Sequence, residues 1–296
     1  MGRTVKRKML IQMADPSGNK TAFVLSGARR EDYQSIAKYI MEQTDLGAEQ
    51  VAFVKSTHAF DMSGMEFCGN AARAFALISA KGMIDGKASE EGRTSMAISI
   101  NDVPKPIVCG VDLDSNHASA SIPLPKRIKT LKHCDFKPAE GKTVIVMEGI
   151  IHLIADGLEY NEQDFDQIRQ AMQEQFDPEA LGVMYLNKET LEMTPVVYVC
   201  SVESKFIEGS CGSGSASVAY YLTTHRDPDT DSPPEDGTYE YELKQPAGTV
   251  NASCMIDNGE PKALFIEGPV GLSKPEFIDI EYESGEDEIG AMSDTW

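Results

Sequence analysis

Tryptophan occurs once in this 296-residue chain, and the five histidines stand too far apart to offer two metal ligands from one turn or strand. Metal sites draw on closely spaced donors, so metal catalysis has little to build on and no metal is expected. The six cysteines, Cys68, Cys109, Cys134, Cys200, Cys211 and Cys254, contain no Cys-x-x-Cys pair, which excludes a zinc ribbon and a thioredoxin-type motif. Positive charge is also scarce: 27 Lys and Arg stand against 47 Asp and Glu, for a net charge of −20. Nucleic acid and anionic membranes repel such a surface, and a well-solvated acidic enzyme is the expected class. No stretch reaches the ~18 apolar residues of a membrane span. The apolar MLIQMA behind the basic N-terminus is too short for a signal-peptide core. Met1-Gly2 does not continue as a myristoylation signal, because Lys6 takes the place of Ser or Thr. A cytoplasmic protein with reduced thiols is expected, most of them packing residues.

What is present is a repeat. In the first half, strand-like MLIQMA leads into Asp15-Pro16-Ser17-Gly18-Asn19. A helical pattern follows over 31–43, with Tyr33, Ile36, Ala37, Ile40 and Met41 on one face. The strand VAFV precedes Phe67-Cys68-Gly69-Asn70, which opens the helix AARAFALISAKG. The runs SMAISI, PIVCGV and HASASI then alternate as strands do. The second half repeats this order. TVIVME and IIHLIA precede a helix over 164–175 with Phe165, Ile168, Ala171 and Met172 on one face. VMYL and PVVYVCSV precede Ser210-Cys211-Gly212-Ser213, which opens the helix GSASVAYYLTTH. TYEYEL, TVNASCMI and KALFIE close the copy. Cys68 and Cys211 are 143 positions apart, while the first helices are offset by about 132, which implies an insertion of about 11 residues before the second Cys turn.

Two α/β domains facing each other across a cleft follow from the repeat. The Pro-rich Ile122-Pro123-Leu124-Pro125-Lys126 marks the boundary. The expected division is 1–124, completed by 270–284 after a break at Gly268-Pro269, and 125–269, with an acidic tail at 285–296. Disorder is expected in the acidic end from Glu281 onward. His225 opens a polar loop that runs to Gly237.

Each copy presents Cys, Gly, a small polar residue and then a helix of small residues. A thiol at a helix N-terminus feels the positive end of the dipole, so a lowered pKa is expected. Glycine lets a ligand approach closely, and first-turn N–H groups bind an anion such as a carboxylate. Two such helix starts aimed at one cleft would hold a stereocentre between two sulfurs, one a thiolate and one a thiol, suited to moving a Cα proton from one face to the other. The other four cysteines read as packing residues.

At these residues the chain resembles the diaminopimelate epimerase-like superfamily of amino-acid racemases. The resemblance rests on Gly18-Asn19, Glu49-Gln50, Phe67-Cys68-Gly69-Asn70-Ala71-Ala72-Arg73 and Ser210-Cys211-Gly212-Ser213-Gly214-Ser215-Ala216, and covers most of 8–275. It implies an α/β fold of two pseudo-symmetric domains, each a curved mixed or antiparallel sheet around a central helix. It also implies catalysis by two bases without pyridoxal phosphate or any other cofactor. By position, Cys68 and Cys211 would be the bases. Gly69, Asn70, Gly212 and Ser213 would bind the α-carboxylate, and Asn19 and Gln50 would help hold the substrate. Diaminopimelate epimerases carry an Arg shortly before the second Cys. Here Ser204-Lys205-Phe206-Ile207-Glu208-Gly209-Ser210 has none, and Lys205 does not replace a planar carboxylate clamp. Glu66-Phe67-Cys68-Gly69-Asn70 and Glu208-Gly209-Ser210-Cys211-Gly212-Ser213-Gly214 are closer to the histidine racemases of opine-metallophore synthesis, where Glu49 or Glu208 would pair with an imidazole or ammonium. The expected function is racemisation of a free L-amino acid, histidine first, then another polar or cationic one. A diaminopimelate epimerase with an unusual distal site is the alternative, and a non-catalytic amino-acid-binding protein the alternative of another class. The expected partner is a small amino acid, and a homodimer is an open assembly.

Overall fold

The protein is described by a computed structural model covering residues 3–90, 92–101, 105–200, 203–225 and 233–285. The first half runs β1 (Arg3–Pro16), β2 (Thr21–Val24), α1 (Tyr33–Gln43), β3 (Gln50–Ser56), β4 (Ala59–Met62), α2 (Gly69–Ala80), β5 (Arg93–Ile100), β6 (Ile107–Asp112) and β7 (His117–Ile122). The second runs β8 (Arg127–Thr130), β9 (Thr143–Val146), β10 (Ile151–Asp156), α3 (Glu162–Phe176), β11 (Ala180–Asn187), β12 (Glu192–Val199), β13 (Ser204–Ile207), α4 (Gly212–Thr224), β14 (Gly237–Gln245), β15 (Gly248–Asp257) and β16 (Glu260–Leu272). β17 (Glu276–Ser284) ends the described chain.

Pairing follows the repeat. β2 and β3 are parallel across α1, as β10 and β11 are across α3. β4 and β5 are parallel across α2, as β12 and β14 are across α4. The remaining ladders are antiparallel, so each half is a curved mixed sheet around its own central helix, the fold class that the family resemblance implied. The inserted residues of the second half form β13, which pairs with β12. In the first half the ladder passes from β1 through β2 to β7 in chain order, and then through β16 back to β1.

Burial explains the division of helices. Every residue of α2, GNAARAFALISA, is buried, as are Gly212, Gly214, Ser215, Ala216, Ser217, Val218 and Ala219 of α4. A helix enclosed by a sheet must be apolar or small on all sides. α1 and α3 are amphipathic and lie on the outside. Tyr33, Ile36, Ala37 and Ile40 are buried on one, and Phe165, Ile168, Ala171 and Met172 on the other. Met41, expected on the buried face of α1, is 41% exposed, since the helix ends two residues later.

One further expectation changes, and another takes a specific form. At Gly268-Pro269, where the chain was expected to return to the first half, β16 changes partner without ending. Gly268 and Pro269 pair with Ala118 and His117, and the next residues, Val270 to Leu272, pair with Pro16 to Ala14. Residues 281–284, read as the start of a disordered end, belong to β17 and pair with the basic N-terminal strand. Lys6 Nζ lies 2.9 Å from Glu281 Oε2, and Tyr282 is buried. Opposite charge and an alternating apolar face override the acidic composition there. Residues 286–296 of the tail, and 226–232 of the polar loop, fall outside the described residues.

Phe23 is fully buried, with its ring 5.9 Å from Phe60 and 6.0 Å from Phe75. Phe23→Ala is expected to cost about 3–5 kcal/mol, read from the urea unfolding midpoint. Asn161 caps α3 by accepting from the N–H of Gln163 and Asp164, at 3.0 and 3.3 Å. Asn161→Ala is expected to cost only about 1 kcal/mol in the same experiment.

Candidate active site

Both cysteines sit at helix starts because sulfur here does the work of an N-capping oxygen. Cys68 precedes α2 in extended backbone (φ −130°, ψ 107°), and its Sγ accepts from the N–H of Ala71 at 3.3 Å. Cys211 precedes α4 with nearly the same backbone (φ −118°, ψ 111°), and its Sγ accepts from the N–H of Gly214 at 3.4 Å.

The two helix starts abut. A Cβ on Gly212 would come within 2.7 Å of Ile266 Cδ1 and 3.5 Å of Asn70, and one on Gly69 within 2.6 Å of Ile122 Cδ1. Asn70 Nδ2 donates to Ser210 Oγ at 3.4 Å, so the two Cys loops are joined by a side chain. Gln245, the last residue of β14, holds the second loop. Its Oε1 accepts from the N–H of Cys211 at 2.8 Å, and its Nε2 donates to Ser215 Oγ at 2.9 Å. The turn at Ser17-Gly18 packs on Gly209 and Gly248, bringing the first loop of the chain to the same place.

Charge at the site is dominated by carboxylates and by lost water. Burial pushes the Cys68 thiol up to about 12. The N–H of Ala71 opposes this, and the carboxylates of Glu66 and Glu208 add to it. Cys211 is driven well above the ordinary thiol range by burial first and then by Glu208, with the N–H of Gly214 and the Ser213 hydroxyl opposing. The lowered thiol pKa expected from the helix dipole is therefore reversed: one N–H···S contact is weaker than desolvation beside an anion. The charge of Glu208 opposes a thiolate at both sulfurs, and burial pushes its own carboxyl up to about 7. Glu49 acts on Glu208 by its charge. Its own carboxyl is raised by loss of water, with Lys20 opposing.

The other residues singled out from the sequence gather around this centre. Gln50 donates its side-chain amide to Asn19 Oδ1, and Asn19 is buried. Ser213 Oγ lies 3.7 Å from Cys211 Sγ. Lys205 lies elsewhere: it pairs with Glu162 on α3 and stands over the Tyr160 ring. Cys109, Cys134 and Cys254 are buried packing residues, and Cys200 is partly exposed after β12. A surface cavity of about 440 Å³ around Asp156, Tyr160, Tyr185 and Lys188 contains none of these groups.

Sequence reasoning missed Arg73, His152, Ser210 and Gln245 as parts of the centre. His152 Nε2 lies 3.5 Å from Ser213 Oγ and its Nδ1 2.9 Å from Ser217 Oγ; burial lowers the ring to about 3, so it is neutral. The signals for two of them were a lone charge inside the small-residue helix and a lone imidazole inside the apolar run IIHLIA. Ser210 stood in the second Cys motif without a role of its own, and Gln245 carried no local signal.

Comparison with known proteins gives a consistent result. The family model described as Histidine racemase CntK N-terminal domain matches residues 11–275. A histidine racemase of Fusobacterium nucleatum subsp. nucleatum is 32% identical over 263 residues, 87% of this chain and 92% of the relative. A histidine racemase of Staphylococcus aureus is 25% identical over 252 residues, 80% of this chain and 85% of the relative. Among solved structures, a PhzF-family phenazine biosynthesis protein of Bacillus anthracis superposes with a TM-score of 0.62 at 16% identity, covering 93% of this chain and 99% of that one. A hydroxyproline epimerase from Agrobacterium vitis, with trans-4-hydroxy-L-proline bound, gives 0.57 at 9% identity, covering 92% and 93%. These two likenesses concern the fold.

Glu208 gives the site a stability signature. Its folded value of about 7 lies above the ordinary 4.5, so between those values the folded state holds a proton that the unfolded chain has released. Stability therefore falls as pH rises through that window and levels off above it. Glu208→Gln lacks this loss. Its melting temperature relative to wild type is expected to be higher at about pH 8 than at about pH 5; an equal difference at both would mean that Glu208 titrates normally.

Proposed function

The chain belongs to the histidine racemase family and is an amino-acid racemase, an isomerase; from this premise we propose that it inverts Cα of free histidine by passing a proton between Cys68 and Cys211. The observation that carries the reading is the duplicated Cys-capped helix start, with the two helix starts in contact through Gly212, Asn70 and Ser210.

The chemistry follows from these groups. Gly69, Asn70, Gly212 and Ser213 lie in the first turns of α2 and α4, whose N–H groups have no carbonyl partner inside the helix and suit an α-carboxylate. One sulfur, as thiolate, removes the Cα proton. The bonding pair passes into the carboxylate as an enediolate, which the helix starts stabilise. The other sulfur, as thiol, returns a proton to the opposite face. The two exchange protonation states, nothing is consumed, and the reverse direction uses the same groups.

Glu208 and Glu49 supply the specificity. Burial and the nearby carboxylates together oppose a thiolate at both sulfurs. A substrate bringing an ammonium and an imidazole offers positive charge to those carboxylates and relieves the repulsion that keeps a thiolate from forming. Lys205, engaged by Glu162, supports a substrate without a distal carboxylate.

The test is a panel of L-amino acids, headed by histidine and diaminopimelate, analysed for D-product by chiral chromatography and for deuterium uptake at Cα in D₂O. Histidine is expected to racemise and exchange. Cys68→Ala and Cys211→Ala are each expected to lose roughly 100- to 10,000-fold or more in rate, the usual worth of a positioned acid or base. Full activity in either variant would remove that sulfur from the mechanism, and turnover of diaminopimelate alone would overturn the substrate.

A further inference from the structure

In each copy of the repeat, a side-chain amide at the end of the strand that follows the central helix turns onto the Cys loop of the same copy. β14 ends at Gln245, and Asn101 comes directly after the end of β5 at Ile100. The two amides are 144 positions apart, against 143 for Cys68 and Cys211.

In the second copy the amide meets the cysteine itself. Gln245 Oε1 accepts from the N–H of Cys211 at 2.8 Å, and Nε2 donates to Ser215 Oγ at 2.9 Å. Ser215 Oγ in turn donates to the carbonyl of Cys211 at 2.6 Å. Both backbone polar groups of Cys211 are thereby tied to one side chain. In the first copy the amide spans the loop that delivers Cys68. Asn101 Oδ1 accepts from the N–H of Met62, the last residue of β4, at 2.7 Å, and Nδ2 donates to the carbonyl of Glu66. Asn101 has φ +49°, a left-handed backbone that Asn adopts more readily than most side chains. The loop is held at both ends, the second of them two residues before the sulfur.

The cap residue starts the helix, so the backbone before it sets where its side chain stands. We propose that Asn101 and Gln245 are positioning residues, one for each sulfur: Gln245 fixes Cys211, and Asn101 fixes the loop that carries Cys68. The inference rests on the two-cysteine reading above and adds that the two bases are aligned independently.

Two experiments on the full chain test it. The first needs no turnover. In the substrate-free protein a buried thiol reacts with iodoacetamide through local opening, and peptide mass spectrometry follows each site. Gln245→Met keeps the bulk and removes the amide. It is expected to speed alkylation of Cys211 by roughly 3- to 10-fold, the worth of one ordinary hydrogen bond, and to leave Cys68 within about twofold. Asn101→Gly tolerates the left-handed backbone without the amide and is expected to do the reverse.

The second uses Cα-deuterated L- and D-histidine. The enantiomers have equal free energies, so misplacing either sulfur lowers kcat/KM equally in both directions, here by roughly 10- to 100-fold. The deuterium isotope effect on kcat/KM tells the sulfurs apart. With Cys211 misplaced, proton abstraction limits the enantiomer that Cys211 deprotonates, and the isotope effect rises. For the other enantiomer reprotonation limits, and the isotope effect falls. Asn101→Gly is expected to give the opposite pattern. A general loosening of the fold would move both cysteines and both enantiomers together. The same isotope pattern in both variants overturns the proposal, as does alkylation that is unmoved, rises at both sulfurs or rises at the wrong one. Should Gln245→Met fail to fold, Ser215→Ala cuts the link to the Cys211 carbonyl and is expected to act in the same direction. Should Asn101→Gly fail, the Cys211 arm alone decides. A wild-type chain that does not turn over histidine would sink the racemase reading, and alkylation would still decide the positioning.

Discussion

The close approach of two helix starts is the constraint on which the rest of the structure depends. α2 and α4 meet at Gly69, Asn70 and Gly212, with Ile266 of β16 filling the space beside both glycines. A side chain at Gly69 or Gly212 would run into Ile122 or Ile266, the residues packed beside the two helix starts. The small residues of both helices, the sheet drawn around each and the loops at Ser17, Ser210 and Gln245 all serve to keep two backbones at contact distance.

That closeness sets the electrostatics as well. Helix dipoles favour anions at their N-termini, but the effect is worth little against the cost of taking a charged sulfur out of water beside Glu208. Both thiols therefore rise. Preorganisation is expressed in the placement of hydrogen-bond donors at the two helix starts.

Much of this was legible in the chain. The repeat located both central helices, the outer helices and most of the long strands, because a helix enclosed by a sheet and a helix lying on one differ in how many faces are apolar. Cys68 and Cys211 stood out because they recur at matched positions, and Glu208 through its motif. The short strands β2, β4, β8 and β13 carry too few alternations to be told from loops. The pairing of β17 with β1 was hidden for another reason: it joins the two ends of the chain, and the acidic composition of its last residues pointed toward solvent. His152 and Gln245 were invisible as site residues because their roles come from tertiary neighbours, Ser213 and the Cys211 amide, that no local pattern encodes.

The exchange of partners within β16 has a consequence for how the polypeptide assembles as it leaves the ribosome. The ladder of the first half closes only when β16 supplies Val270 to Leu272 and β17 zips along β1. The earliest-made segment must therefore wait for nearly the whole chain to be synthesised, while the later half already holds its own pairing partners. The usual order, in which N-terminal units mature first, is inverted here. In the interval the open edge of β1, with Met9 and Ile11 uncovered, is where a nascent-chain chaperone would bind.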